Sequence, residues 1–252
     1  MTTHPGLPVA VVVPARNEAA RILATIACIR EVTIVEAVIV VDDGSSDGTA
    51  RVAADAGAEI VRHERGYGRG DALMSGLGRM AGLQRVGRLS GSAAVLFVDA
   101  DLEVTASDID AVARPVTAGQ ADLSIATAGP DLSEPTGAAM HLGGGHGLVI
   151  GLAHKGIEDL AGWSPTQPLS GLRCLSPAAV AAATPFARGW GAEVAMTVDV
   201  LDAGLTVVEV TCDLRHGAAG TNWRSQVHRA AQYRDIALAL GVRRLRRRLE
   251  PS

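Results

Sequence analysis

The chain has 252 residues, enough for one sizeable core, and its balance of 48% hydrophobic to 20% charged residues excludes a disordered chain. The net charge of −4 excludes a bulk polyanion binder, so no nucleic-acid partner is expected. The charge is unevenly spread: residues 213–252 carry 9 arginines against 3 acids, and residues 1–212 carry 14 basic against 24 acidic residues. Lys155 is the sole lysine, so an arginine in place of lysine carries little chemical weight. Cys28, Cys174 and Cys212 show no paired metal spacing and suit a reduced, cytoplasmic setting. No apolar run reaches the roughly 18 residues of a membrane span, and MTTHPGLP lacks the basic and apolar regions of a signal peptide.

In chain order, Val9–Val13 is short, β-branched and closed by Pro14, which predicts a buried strand. Asn17 is positioned to cap a helix carrying Ile22, Ile26 and Ile29 at helical spacing. Ala37–Val41 predicts a strand, Thr49–Ala56 a helix stopped by Gly57, and Ala58–Arg62 a third strand. Gly70–Leu83 predicts a helix and Ala94–Val98 a fourth strand. Beyond these, Asp108–Thr117, Leu148–Lys155, Pro177–Ala183, Ala192–Ala203 and Asn222–Leu240 read as helices, and Asp122–Ala126 and Thr206–Thr211 as strands. Residues 129–170 are rich in Gly, Pro and His, as in a binding loop or lid. The alternation predicts an α/β fold with a mostly parallel, Rossmann-like central sheet covered by helices on both faces. One domain over 1–252 is expected, without linker or repeat.

Ligands of such sheets sit beyond the carboxyl ends of the strands. Three polar clusters, Pro14–Glu18, Asp42–Asp47 and Asp99–Asp101, fall on that edge. Asp99-Ala100-Asp101 can direct two hard oxygen ligands at Mg²⁺ or Mn²⁺, or can be a turn with solvated acids. Asp42-Asp43-Gly44-Ser45-Ser46-Asp47 can accept hydrogen bonds from a ribose or base, with Asp47 equally readable as a helix cap. Pro14, Ala15, Arg16 and Glu18 can frame a base. In Gly66-Tyr67-Gly68-Arg69-Gly70-Asp71, the backbone N–H groups and Arg69 can receive phosphate at a helix start.

Together VVVPARNE, VVDDGSSDGT, GRGDA and FVDADL resemble the family-2 nucleotide-sugar glycosyltransferases of the GT-A fold, closely over residues 8–105 and loosely to about 240. The resemblance implies a donor half over 8–105, an acceptor half over 106–240 and a basic tail over 241–252. It implies a UDP- or GDP-sugar donor touching Pro14, Ala15, Arg16, Glu18, Asp43, Arg69, Gly70, Asp99 and Ala100, with Asp101 the metal-facing acid. Arg69 departs from the lysine common in relatives. Pro168–Arg173 (PLSGLR) resembles a segment of the polyprenyl-phosphate sugar synthases, which places Arg173 at the acceptor. Gly189–Val194 and Asp213–His216 resemble the actinobacterial glucosyl-3-phosphoglycerate synthases. That likeness implies a catalytic, sugar-facing Glu193, beside Asp101, and a metal site of Asp99, Asp101 and His216. From the residues alone Glu193 can instead cap or solvate its helix, and His216 can be a surface histidine.

The expected activity is metal-assisted transfer of a hexose to a small-molecule or lipid-phosphate acceptor entering over residues 129–170. The phosphoglycerate loop of relatives has no clear counterpart in Gly143–His154, so the acceptor does not transfer. The alternatives are a polyprenyl-phosphate sugar synthase acting at the membrane surface, supported by PLSGLR and the basic tail, and a non-catalytic nucleotide-binding relative, which intact DAD and DDGSSD argue against. The tail Arg243–Arg248 reads as the solvated end of a helix or as an anionic-membrane patch, which leaves room for peripheral membrane contact beside a cytoplasmic location. A homodimer is also open.

Overall fold

Val9–Ala15 forms β1, and its β-branched run is buried from both sides, as a strand inside a helix-covered parallel sheet must be. Val9, Val11 and Val13 face one core and Ala10 and Val12 the other. The computed structural model describes residues 6–101, 106–129, 146–212 and 223–249. β1 pairs in parallel with β2 (Val35–Asp42) and with β4 (Ala94–Phe97), and β2 with β3 (Glu59–Arg62). The crossovers are α1 (Ile22–Arg30), α2 (Thr49–Asp55) and α3 (Arg69–Arg85).

The second half contributes α4 (Ala106–Thr117), β5 (Leu123–Ala128), α5 (His146–Ala161), β6 (Arg173–Leu175) and α6 (Pro177–Ala183). A 3₁₀ turn (Gly189–Gly191), α7 (Ala192–Asp202), β7 (Val207–Cys212) and α8 (Trp223–Leu249) follow. The sheet order is β3-β2-β1-β4-β6-β5-β7. Only β6 is antiparallel to its neighbours, β4 and β5, while β5 and β7 are parallel. The sheet is therefore the mostly parallel one expected, with a core on each face and a third cluster among α5, α7 and α8.

Several expectations need correction. Asn17 does not cap α1: it adopts left-handed φ of 59° and receives hydrogen bonds from the Ser46 N–H and hydroxyl, while its own N–H donates to Ser45 Oγ. β6 has no counterpart in the sequence reading, because three residues are too few to display a period. α5 is twice as long as predicted, since Gly156 marks a packing contact with Leu240 of α8 rather than a break.

The basic tail is the largest correction. Arg243–Arg248 continues α8, and two of its arginines turn inward onto α7. Arg243 is 5% exposed, its Nε donates to Asp199 Oδ1 at 2.8 Å, and its Nη1 donates to the Ala239 carbonyl. Arg247 pairs with Asp202 nearer the surface, and Arg244 lies 3.7 Å from Asp159 of α5. Among the described residues no helix is long and apolar enough to cross a membrane.

Arg243→Ala leaves Asp199 half-desolvated without its partner and is expected to cost about 3–5 kcal/mol of unfolding free energy. Arg247→Ala, which removes a pair open to solvent, should cost no more than about 1 kcal/mol. Urea titrations of the two variants measure the contrast.

Candidate functional site

The carboxyl edge of the first four strands gathers the expected polar groups. β1 ends at Ala15, whose carbonyl accepts the Asp43 N–H at 2.9 Å and so ties the β1 and β2 loops together. The Glu18 N–H donates to Thr49 Oγ1, and the Glu18 carboxylate pairs with Arg21. Burial first, and the nearby charge of Asp101, raise the Glu18 pKa above its ordinary value against the pull of Arg21. The N-cap of α2 is Gly48 and not Asp47, against the cap reading of the sequence; Asp47 accepts from the Thr49 N–H at the start of α2 and from the Ala19 N–H, which ties the head of α2 to the β1 loop. Ala100 is buried, and its carbonyl accepts from Thr25 Oγ1 of α1. Asp101 is exposed.

Asp43 is held by its own protein. Oδ1 accepts the Tyr67 N–H at 2.8 Å and lies 2.7 Å from His63 Nδ1, and Oδ2 accepts the Gly68 N–H at 2.9 Å. His63 reaches on to Ser75 Oγ of α3. Gly44, with φ of +73°, packs on the Arg65 backbone, and Gly66 lies under the Arg16 guanidinium. The loop 63–68 therefore crosses from β3 over β2 and β1, delivering Arg69 at the head of α3.

Arg69 is the hub. Its Nε donates to Glu193 and its Nη1 to Asp99, so one buried guanidinium bridges the DxD strand and α7. Burial works to lower the Arg69 pKa, but the charges of Asp99 and then Glu193 overcome it and hold the group above its ordinary value. Gly171 makes the bridge possible: a Cβ there would strike Asp99 Oδ2 and lie 2.7 Å from Arg69 Nη2. Gly70, the next residue of α3, packs directly on the Ala187 carbonyl.

Arg173, expected at the acceptor, is instead interior and 1% exposed. Its guanidinium donates to the Ser170 carbonyl at 2.6 and 2.9 Å, to the Glu193 carbonyl at 3.0 Å and to Thr197 Oγ1. Burial first, reinforced by Arg69 and opposed by Glu193, pushes its pKa down to about 10. It braces the start of α7 and presents no face to an acceptor. Glu193 is 3% exposed.

A residue that sequence reasoning missed holds the same turn from the other side. Asp235 of α8 accepts the Trp190 N–H at 3.3 Å, and Arg234 fixes its other oxygen at 2.8 and 3.0 Å. Gly189, at φ of +58°, packs against the Asp235 carboxylate, and Gly191 against the Asp235 carbonyl. The turn 189–191 is thus pinned between α8 and the loop before α3, where Gly68 faces the Gly189 Cα. The glycine spacing G-W-G was the only sequence signal, and nothing tied it to Asp235. Cys174 and Cys212 are buried, and burial pushes their thiols up to about 12 and about 11, so neither is a nucleophile.

The donor set is compatible with a hard divalent cation: Asp101 offers an exposed carboxylate at the sheet edge, and Asp99 lies two residues away with one oxygen on Arg69. Among the described residues no three ligating side chains form a closed metal site. His216, expected as the third ligand, lies outside the described residues, as do Asp213 and Arg215. The cavity of about 360 Å³ lined by Arg30, Glu36, Gly57, Glu59 and Arg88 opens at the opposite edge of the sheet and shares no residue with this constellation.

A doubly covered sheet with a DxD strand beside its topological switch point defines a nucleotide-sugar transferase type of site. The family model for glycosyl transferase family 2 matches residues 10–147, more than half of the chain, and the chain belongs to that family. Its fold is the GT-A fold. Comparison with curated proteins finds no match. Among solved structures the chain is similar to glucosyl-3-phosphoglycerate synthase from Mycobacterium tuberculosis in complex with phosphoglyceric acid. There it is 25% identical over 94% of this chain and 80% of that one, with a TM-score of 0.69. The same enzyme with Mn²⁺, UDP and glucosyl-3-phosphoglycerate gives 25% identity, 94% and 80% coverage and a TM-score of 0.67. With Mn²⁺ and UDP-glucose the values are 26%, 94%, 79% and 0.69.

Gly70→Ala forces a methyl group into the Ala187 carbonyl and is expected to lower unfolding free energy by about 1–3 kcal/mol. Gly78→Ala, on the open side of the same helix where nothing lies within 4 Å, should raise it by up to about 1 kcal/mol. Thermal or urea unfolding of the pair tests whether the turn is close-packed on α3.

Proposed function

We propose that the chain transfers a hexose from a nucleoside-diphosphate sugar, with UDP the leading nucleotide, to a small soluble acceptor in the cytoplasm. The observation that carries the reading is the Arg69 bridge, which draws the GRGDA loop, the DAD strand and the Glu193 turn to one point at the carboxyl edge. Solved relatives bind UDP-glucose with Mn²⁺ and a small phosphorylated acid, which supports both the donor class and a compact acceptor.

In this reading Pro14, Ala15, Arg16 and Glu18 border the base and ribose, and Arg69 and the Gly70 N–H border the diphosphate. Asp101, with Asp99 and His216, would hold Mg²⁺ or Mn²⁺, which would supply Lewis-acid neutralisation of the leaving diphosphate. Arg69 adds a cation whose position is fixed before the donor arrives, so little reorganisation is needed as charge develops. Glu193 faces the sugar through the carboxylate oxygen that Arg69 does not take. Arg173 and Asp235 are positioning residues that fix the turn from which Glu193 projects.

A lipid-phosphate acceptor is less well supported: the PLSGLR arginine is buried, and Arg243 and Arg247 of the basic run are tied to α7, which leaves Arg244, Arg246 and Arg248 as its other exposed cations. The donor half, acceptor half and α8 act as one unit, since charges from all three meet at Glu193 and its helix.

The test is turnover of UDP-glucose with Mn²⁺ and phosphorylated small acids, followed by release of UDP. Asp101→Ala should keep the native melting temperature within about 2 °C, as an exposed substitution does. It should lower turnover by roughly a thousandfold, the several kcal/mol a Lewis acid contributes. Near-normal turnover of this variant with chelator present would refute the metal role.

A further inference from the structure

We propose that Tyr67 is the stacking platform for the donor base and that Asp43 presents it. This rests on the donor reading above and assigns to Asp43 a role different from direct contact with base or ribose. Both Asp43 oxygens are already occupied by the N–H groups of Tyr67 and Gly68 and by His63. The side chain that these bonds aim outward is the Tyr67 ring, which is 48% exposed.

Its place is set by the loop that carries it. Gly66 lies under Arg16 of the β1 loop, and Arg69 reaches Asp99 at the end of β4. Tyr67 falls between Gly66 and Arg69 in the chain, on the loop that borders the carboxyl edge where an open α/β sheet takes its ligand. The ring is braced from within: His63 meets it edge-on, at 5.0 Å between centroids and 81° between planes, and is itself fixed by Asp43 and Ser75. Arg65 is the one cation over the ring, 5.4 Å from its centroid and exposed to water. A flat base laid on the ring takes the place of this solvated guanidinium or extends the stack beneath it. Phe97 and Phe186 are buried, Trp163 and Trp190 are half-buried and the exposed Tyr233 lies on α8, so among the described residues Tyr67 is the exposed aromatic on the loop before α3. Every base has a π-face, so the platform favours nucleotides over bare diphosphate without choosing between bases.

Calorimetric titration of the full chain with UDP and with pyrophosphate, each with Mn²⁺, decides the matter. Tyr67→Ala should weaken UDP roughly ten- to hundredfold, the usual worth of a stacked base, and leave pyrophosphate unchanged. Tyr67→Phe keeps the ring and should stay within about twofold of the parent. Asp43→Ala should weaken UDP about as much as Tyr67→Ala, and adding the second substitution should change little, because both act through one ring. Unchanged UDP affinity in Tyr67→Ala, or an equal loss for pyrophosphate, overturns the proposal while UDP binding by the parent leaves the donor reading intact. If the parent binds neither ligand, the donor reading fails and the platform fails with it. Tyr67 is exposed, so its variants fold and carry the test even if Asp43→Ala does not.

Discussion

The Arg69 guanidinium is the constraint on which the site depends. It is buried between two carboxylates that come from opposite halves of the chain, Asp99 at the end of β4 and Glu193 at the start of α7. A buried charge is tolerable only when paired, and with Arg173 beneath Glu193 the cluster holds two cations and two anions. Removing any one member leaves a net charge inside. The pairing thereby ties the head of α3 to the end of β4 and the start of α7.

Close backbone approach is the second ingredient. The cluster fits because Gly171 leaves room for Asp99 and Arg69, and the turn 189–191 fits because Gly70, Gly189 and Gly191 allow contact with Ala187 and Asp235. The short loops around the site are therefore held by surfaces without side chains, with hydrogen bonds from Asp235 and Arg173 supplying direction. Rigidity of this kind suits a site whose chemistry is charge placement.

The first hundred residues were legible because their signals are redundant. β1 and β2 are β-branched runs, β3 is a short strand with Ile60 and Val61, and β4 is a fully apolar run; with the polar turns that follow β1, β2 and β4 they implied a parallel sheet with ligands at one edge. The family motifs then fell where that geometry required them. The second half was harder to read for particular reasons. β6 is three residues long, and its Arg173 looks like a surface residue in sequence, while burial comes from partners at Ser170, Glu193 and Thr197 that no local pattern reveals. Arg243–Arg248 read as a tail because arginine obscures periodicity, yet Arg243 and Arg247 are four apart and both face α7. Asp43 was found as a polar residue on the right edge, but its hydrogen-bond partners, twenty or more residues away, depend on the course of a loop. Asp235 had no signal at all.

The placement of α8 bears on the order in which the enzyme comes into being. Strands β1 to β4 and their three helices are complete by residue 97 and can begin to condense while the ribosome is still adding the rest. The turn that carries Glu193 is held by Asp235, and α7 by Arg243 and Arg247, partners that lie 44 or 45 residues further along the chain. A nascent chain could thus assemble the loops of the first four strands well before the turn 189–191 is braced. Until α8 is made, Glu193 can already reach Arg69 but its turn lacks the Asp235 brace, so a translation product stalled before α8 would hold the first four strands with the turn 189–191 unpinned on that side.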